Sequence, residues 1–342
     1  CAGRGPGGRG QGGWHRLRGG YFSLSARGGG GGPGGAGSGE GQLQNASPDT
    51  APLPGPLPRG GEGVRAALAA ASSVLADVSE TPRLDAELLM AHALGVSRET
   101  LLLQRLDSPT PHSFGPLLAR RLAHEPIAYI TGGRAFWTIE LAVGPGVLVP
   151  RADSETLIEA AVDHFGTAGP KTILDLGTGP GTLLLAALDQ WPAATGLGVD
   201  ASPEALDYAE RNRLALGLAA RATLRRGDWG EGVTEVFDLI FSNPPYIGTQ
   251  EHLPAEVRDH EPGAALFAGS DGFDDYRRIA PQLPGLLAPG GAAILEIGAT
   301  QASAVTALLE AQGFAVALRH DLGGRRRALI ATRSCELVTR RS

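Results

Sequence analysis

The stretch that most restricts the fold is 172–190, TILDLGTGPGTLLLAALDQ. It consists of a short apolar run, a turn with glycines at Gly177, Gly179 and Gly181, and an apolar segment long enough for a helix. A buried strand, a tight glycine turn and a helix in succession are typical of an open α/β sheet whose first turn approaches a ligand. The pattern therefore predicts a parallel sheet with a ligand site at a helix N-terminus.

Acidic residues mark three successive strand ends of this predicted sheet. Asp175 lies in the strand before the glycine turn, Asp200 ends the next apolar run, GLGVD, and ATLRRGDWG ends with Asp228 and Trp229. Singly, Asp228 is explained as a turn residue and Trp229 as a core residue. Together, at one sheet edge, the acids predict a pocket in which Asp200 holds a ribose diol while Asp228 and Trp229 bind and cover an adenine ring.

The ligand of this pocket is either a dinucleotide or a smaller adenosine compound. The spacing GTGPG differs from the Gly-x-Gly-x-x-Gly of dinucleotide sites, and Asp175 would repel a pyrophosphate. An adenosine ligand with a cationic amino acid end fits better, which predicts S-adenosylmethionine. The predicted cofactor residues are Asp175, Gly177, Thr178, Gly179, Pro180, Gly181, Asp200, Asp228, Trp229 and Asn243, with Phe136 covering the pocket.

A second motif, FDLIFSNPPYI, follows as the fourth strand and a proline-rich turn. Asn-Pro and Pro-Pro are ordinary turn residues, but this turn falls at the ligand-binding edge of the sheet. We predict that the Asn243 side-chain oxygen and the Pro244 carbonyl accept the two hydrogens of a planar nitrogen, with Pro245 in the same turn and Tyr246 stacking on the acceptor. A carboxamide and an exocyclic adenine amine both satisfy this motif.

The remaining segments predict the domain organisation. Residues 1–62 are Gly-rich and are predicted to be a disordered tail, since a targeting helix is disfavoured by so much glycine. Residues 63–125 have helical periodicity and predict a small substrate-recognition domain, 126–150 predict a β-hairpin linker around Gly132 and Gly133, and 151–342 predict the catalytic domain. The expected fold is α/β, a seven-stranded Rossmann-like class I methyltransferase sheet that ends in a hairpin.

Composition narrows the classes of function. The formal net charge of -6 disfavours a surface built to neutralise phosphates. Cys1 and Cys335 lie at opposite ends of the chain, which predicts neither a disulfide framework nor a zinc site. The run Asp259, His260 and Glu261 is expected to be a solvated loop and helix cap instead of a metal site. No run approaches the roughly 18 apolar residues of a membrane span, so we expect a soluble protein without bound metal.

Several segments resemble the release-factor glutamine methyltransferases, the PrmC/HemK proteins. The resemblance covers about residues 62–333. VPRADSE has Ala152 and Ser154 where the family usually has Pro and Thr. The segments that carry the resemblance are EPIAYITGGRAFW, VPRADSE, ILDLGTGPG, GVD, GDW, SNPPYI, EPGAALFAGSDGFDDYRRIA and LEIG.

The resemblance implies N5-methylation of the glutamine in the Gly-Gly-Gln motif of class I peptide chain release factors. It also implies that residues 177–181, Asp200, Trp229 and Asn243 bind S-adenosylmethionine and that residues 243–246 hold the glutamine. Two alternatives are an adenine-N6 methyltransferase of nucleic acid and a non-catalytic S-adenosylmethionine-binding module that docks on translation factors. We expect a monomeric, cytoplasmic enzyme without stable nucleic acid or membrane contacts, a mitochondrial location being disfavoured.

Overall fold

The computed structural model describes residues 63–333. The predicted tail, 1–62, and Cys335 lie outside this range. Within it, no helix is both long and apolar enough to cross a membrane.

A helical region occupies the first part of the described chain. Its helices bury a common apolar core, to which α1 contributes residues at helical spacing, among them Val64, Leu68 and Leu75. Helix α2 begins with a proline in its first turn and ends at Gly95 in the left-handed conformation, φ 63°. The predicted helical region is therefore confirmed. Its elements are α1 Val64–Leu75, α2 Pro82–Leu94, α3 Arg98–Thr100 with the π-helical turn Leu101–Arg105, α4 Phe114–Leu122 and α5 Ile127–Thr131.

A β-hairpin follows, formed by the antiparallel strands β1 Gly133–Phe136 and β2 Ile139–Ala142. Its turn contains Trp137, whose φ is 54°. The predicted β-hairpin is confirmed, but its turn does not lie around Gly132 and Gly133. Gly132 ends α5 in the left-handed conformation, φ 79°, and Gly133 already pairs in β1.

The seven-stranded sheet predicted from the sequence is confirmed. Its strand order is β5-β4-β3-β6-β7-β9-β8, with β5, β4, β3, β6 and β7 parallel. Strand β9 is antiparallel to both β7 and β8, which makes the expected terminal hairpin. The strands are β3 Thr172–Leu176, β4 Thr195–Asp200, β5 Ala222–Arg226, β6 Phe237–Ser242, β7 Leu287–Glu296, β8 Phe314–His320 and β9 Arg326–Arg333.

Helices cover both faces of the sheet, so its central strands are apolar on both sides. Ile173 faces the layer formed by α6, α7, α8 and the hairpin, and Leu174 faces the layer of α10, α11 and α12. This alternation follows from the two-residue period of a strand. The helices are α6 Glu155–Phe165, α7 Thr182–Gln190, α8 Pro203–Ala215, α9 Ala255–His260, α10 Asp274–Ile279, α11 Leu283–Leu286 and α12 Ala302–Glu310, with 3₁₀ turns at Ala152–Ser154 and Gly263–Ala265.

Candidate functional site

A cavity of about 550 Å³ lies at the carboxyl ends of β3, β4 and β6. Strands β4 and β5 extend the sheet on one side of β3, whereas β6 lies on its other side. Ligands of open α/β sheets bind at such a reversal of strand order. Leu176 of β3 pairs with Ser242 of β6, so the glycine turn and the Asn-Pro-Pro-Tyr turn leave the sheet side by side. The predicted residues that line the cavity are Asp175, Gly177, Thr178, Gly179, Pro180, Asp200, Asp228, Trp229, Asn243 and Pro245.

The glycine turn needs its glycines for two reasons. Gly177, Gly179 and Gly181 have φ values of 72°, 57° and 88°, in the region that favours glycine. In addition, a Cβ on Gly177 would lie 2.9 Å from the Trp229 ring. The backbone therefore approaches this indole with no side chain between them.

Asp175 is 1% exposed and contributes an unpaired oxygen to the site. Its Oδ2 accepts hydrogen bonds from the Thr178 hydroxyl at 2.7 Å and from the Leu184 amide at 3.2 Å. Its Oδ1 is buried without a partner. Burial raises the pKa of Asp175 to about 7, although the two hydrogen bonds oppose that shift. A buried acceptor without a donor at a cavity wall suits a ligand with a cationic or N–H group.

Asp200 ends β4 and is held by two backbone amides. The Gly179 amide donates to Oδ2 at 2.8 Å, and the Ser202 amide donates to Oδ1 at 2.9 Å. Burial raises the pKa of the carboxyl, and these hydrogen bonds oppose the shift. Each oxygen retains lone pairs, so Asp200 can accept further donors such as the hydroxyls of a ribose.

Asp228 and Trp229 follow β5, the edge strand of the sheet, and form one wall of the cavity together with α10. Arg278 of α10 donates to the Asp228 carboxylate, and Asp275 lines the same wall. Trp229 has a φ of 52°, and its ring lies against Gly177. The sequence analysis assigned no role to Arg278, although it lies in the segment EPGAALFAGSDGFDDYRRIA, because its contact with Asp228 joins residues 50 positions apart.

The Asn-Pro-Pro-Tyr turn is held from behind by residues of later strands and helices. The Tyr246 hydroxyl donates to Glu296 Oε1 at 3.4 Å, and Gln301 Nε2 donates to the Tyr246 carbonyl at 2.9 Å. A Cβ on Gly272 would lie 2.5 Å from that same carbonyl oxygen. The turn therefore depends on a close backbone approach that only glycine permits.

A chain of hydrogen bonds links Asn243, through Ser154 in the same cavity wall, to the buried Glu296. Asn243 Nδ2 donates to Ser154 Oγ at 3.3 Å, and Ser154 Oγ donates to Glu296 Oε2 at 2.5 Å. Glu296 is 1% exposed, and burial raises its pKa to about 7. The sequence analysis assigned no role to Ser154 or Glu296. Ser154 lies 89 positions from Asn243 and 142 positions from Glu296, and contacts between such distant residues leave no local signal in the sequence.

One acidic residue lies in an environment opposite to the predicted one. Glu261 was expected in a solvated loop, but its carboxylate is buried and pairs with Arg151, which lines the cavity. It also accepts the Val149 amide at 3.2 Å. Asp259 is exposed, whereas His260 is half-buried against the helical region. The described residues contain no cluster of ligands able to hold a metal ion.

Four other predicted site residues lie outside the cavity lining. Phe136 was predicted to cover the cofactor, but it is 1% exposed within the apolar core, so that prediction is corrected. Gly181 caps α7, where a Cβ would lie 2.6 Å from Leu185. Pro244 is buried, and Tyr246 of the same turn is partly buried.

The residues that line the cavity fit S-adenosylmethionine. Asp200 is placed for hydroxyl groups, the Gly177 backbone and Trp229 ring provide a flat wall, and the unpaired Asp175 oxygen provides an acceptor for a cationic ligand. The switch-point cavity also lies directly beside Asn243. This fold and site define a class I S-adenosylmethionine-dependent methyltransferase.

Comparison with known proteins assigns the family. Residues 66–132 match the PrmC N-terminal domain, and residues 169–303 match a methyltransferase domain. The chain is 45% identical over 260 residues to the release factor glutamine methyltransferase of Rhodospirillum rubrum, covering 74% of this chain and 80% of that protein. The enzymes of the same name from Caulobacter vibrioides and Cereibacter sphaeroides are 42% and 44% identical, over 68% and 75% of this chain and 83% and 92% of their own lengths. The chain belongs to the release factor glutamine methyltransferase family.

Proposed function

We propose that this protein transfers a methyl group from S-adenosylmethionine to the side-chain nitrogen N5 of the glutamine in the Gly-Gly-Gln motif of class I peptide chain release factors. The observation that carries the proposal is the position of Asn243, which lines the cofactor cavity beside the glycine turn. The relatives named for release factor glutamine methylation support the choice of acceptor.

The cofactor is held by groups from three strand ends. Asp200 accepts the ribose hydroxyls, the Trp229 ring covers the adenine, and Asp175 accepts from the cationic amino acid end through its unpaired Oδ1. When bound, S-adenosylmethionine supplies an activated methyl group on a sulfonium. The protein therefore contributes mainly by positioning the acceptor.

Asn243 and Pro244 orient the acceptor nitrogen. An amide nitrogen is a poor nucleophile because its lone pair is delocalised into the carbonyl. The Asn243 side-chain oxygen and the Pro244 carbonyl accept its two hydrogens, which turns the nitrogen lone pair out of conjugation. Pro245 fixes its own φ, so the preceding carbonyl is presented rigidly. Tyr246 has its hydroxyl held by Glu296, and its ring stacks on the planar acceptor.

The helical region, residues 63–125, recognises the release factor in this proposal. Its support is a direct connection to the segment that follows the acceptor turn. Arg121 of α4 contacts Asp85 of α2 at 2.7 Å and Glu256 of α9 at 2.8 Å. His260 Nε2 lies 3.1 Å from the Ala123 carbonyl oxygen. A release factor bound to this region would therefore lie near α9 and the acceptor turn.

The decisive experiment offers the enzyme labelled S-adenosylmethionine with one of three acceptors. These are a purified release factor, its variant with Asn in place of the Gly-Gly-Gln glutamine, and duplex DNA. We expect label in the first acceptor alone. Label in DNA would support an adenine methyltransferase instead, and label in none, with the cofactor still bound, would support a binding module.

A further inference from the structure

We propose that Glu296 is a positioning residue that acts through Ser154 to determine which end of the Asn243 side-chain amide faces the cavity. The inference deepens the proposed function and rests on it, since Asn243 is the group that contacts the acceptor. Ser154 lies in the segment VPRADSE, but the resemblance carried by that segment implies no such role for it.

The direction of the hydrogen bonds follows from the chemistry of the three groups. An ionised carboxylate only accepts, so at 2.5 Å from Glu296 Oε2 the Ser154 hydroxyl must donate its hydrogen to Glu296. The oxygen of Ser154 is then left with lone pairs alone. Its contact with Asn243 at 3.3 Å therefore requires the NH₂ end of the amide. The carbonyl oxygen Oδ1 remains for the ligand in the cavity.

This orientation decides whether Asn243 accepts or donates. The two ends of an amide have nearly the same size, so packing alone discriminates weakly between the two orientations. If the amide were reversed, its NH₂ group would face the NH₂ group of the acceptor glutamine, and donor would meet donor. Asn243 can orient the nitrogen of the substrate glutamine only if its side-chain oxygen already faces the cavity before the reaction begins.

Glu296 also holds the far end of the same turn. Its Oε1 accepts from the Tyr246 hydroxyl at 3.4 Å, so one carboxylate contacts Tyr246 directly and Asn243 through Ser154. Its own position is fixed because it ends β7, next to β6, and because the Tyr276 hydroxyl donates to its carbonyl at 2.8 Å. The carboxylate therefore sits on the rigid centre of the sheet.

The charges around Glu296 make this orientation sensitive to pH. Arg327 of β9 favours the ionised carboxylate, whereas Asp153 in the turn before α6 opposes it. Tyr246 from the acceptor turn and Tyr276 from α10 also face it. Burial outweighs the favourable contacts and raises the pKa of Glu296 to about 7. A protonated carboxyl can donate to Ser154, after which the serine hydroxyl can donate to Asn243 and reverse the amide.

The test compares Ser154→Ala with Ser154→Thr, since threonine retains the hydroxyl. We expect Ser154→Ala to lower kcat for release factor methylation by roughly 10- to 100-fold, the range of one hydrogen bond to a charged network. Ser154→Thr should retain kcat within about 3-fold, because the hydroxyl is restored. Cofactor affinity should stay unchanged in both. Ser242→Ala is the matched control, because this buried hydroxyl donates to the Leu176 carbonyl at 2.9 Å within the sheet.

Glu296→Gln tests whether the charge of Glu296 determines the direction of the hydrogen bonds from Asn243 through Ser154. Its amide does not titrate, so we expect the variant to lack the loss of kcat that the wild type shows as pH falls through about 7. Equal kcat in the wild type and Ser154→Ala would overturn the proposal. So would a decline of kcat below pH 7 that is as large in Glu296→Gln as in the wild type, since Asp175 titrates in both proteins. If Glu296→Gln does not fold, the serine pair decides.

A spectroscopic readout separates this inference from the proposed function. The side-chain NH₂ signals of Asn243 can be assigned in a labelled sample by their absence in Asn243→Asp. We expect these signals to shift as pH is lowered through about 7 in the wild type, and not in Ser154→Ala. If release factor remains unmethylated while the signals behave so, only the function fails. If methylation is present and the signals ignore pH and Ser154, only the inference fails.

Discussion

Asn243 and Asp200 line the same cavity but come from the ends of different strands. Asn243 follows β6 and is linked to Ser154, whereas Asp200 ends β4 and is held by the amides of Gly179 and Ser202. In the proposed function the first contacts the acceptor, and the second, beside the glycine turn, contacts the cofactor. Substitutions at the two positions should therefore affect different kinetic and binding constants.

Asn243→Ala should lower kcat for release factor methylation by roughly 100-fold or more, because it removes one of two groups that orient the acceptor nitrogen. Binding of S-adenosylmethionine, measured by titration calorimetry, should change little. Turnover equal to that of the wild type would refute the assignment of Asn243.

Asp200→Ala should weaken binding of S-adenosylmethionine by roughly 10- to 100-fold, since hydrogen bonds to a charged group are lost. Calorimetry measures this directly. Asp238→Asn is a suitable control, because this acid accepts the Lys171 and Thr172 amides at the opposite end of the sheet. An affinity for Asp200→Ala that matches the control would rule out the ribose assignment.

Among the elements, α9 connects the helical region to the cavity. Glu256 in its first turn contacts Arg121 at 2.8 Å, and Glu261 just beyond its end pairs with Arg151 in the cavity wall. Arg121 is 4% exposed, so its charge depends on Asp85 and Glu256 for compensation. A short helix thus has one charged contact at each end, one with each part of the protein.

Glu256→Gln should raise KM for the release factor and lower the free energy of unfolding by about 1 kcal/mol, because a buried arginine loses one of its two carboxylate partners. Kinetics at saturating cofactor and urea unfolding measure the two effects. Asp259→Asn is the matched control, since Asp259 and Arg258 form an exposed pair on the same helix. Identical behaviour of the two variants would show that the contact with Arg121 is unimportant.

For the whole molecule, two fully buried carboxyls link stability to pH. Burial raises the pKa of both Asp175 and Glu296 to about 7, above the ordinary values of 3.8 and 4.5. Between the ordinary and the raised pKa the folded protein binds more protons than the unfolded chain, so these groups make stability fall as pH rises through that window. Their stabilising contribution is complete at acidic pH and is lost as pH rises through about 7.

The corresponding prediction compares urea unfolding of the wild type and Glu296→Gln at about pH 5 and about pH 8. Glutamine does not titrate, so the decline in unfolding free energy towards the higher pH should be smaller in the variant. The buried Asp175 continues to titrate in both proteins and retains part of the decline. The same decline in both proteins would show that Glu296 is ionised throughout that range.

Much of the fold was predictable because its signals are local. The strand, glycine turn and helix of 172–190, the terminal hairpin and the helical region all follow from periodicity and turn residues within short windows. The error at Gly132 has a local cause as well, since glycine marks both hairpin turns and helix ends. The segment Ile127–Thr131 was too short to show helical periodicity.

By itself, the sequence determined the order of strands and turns, and it placed acids and an Asn-Pro-Pro-Tyr turn at successive strand ends of the sheet. Only the tertiary structure decided which polar groups are buried together. Glu261 was expected in a solvated loop but forms an ion pair with Arg151. Glu296 contacts Ser154, which lies 142 residues earlier in the sequence. The physical reason is that burial and hydrogen-bond direction depend on neighbours brought by distant segments, whereas strand and turn formation depend on adjacent residues.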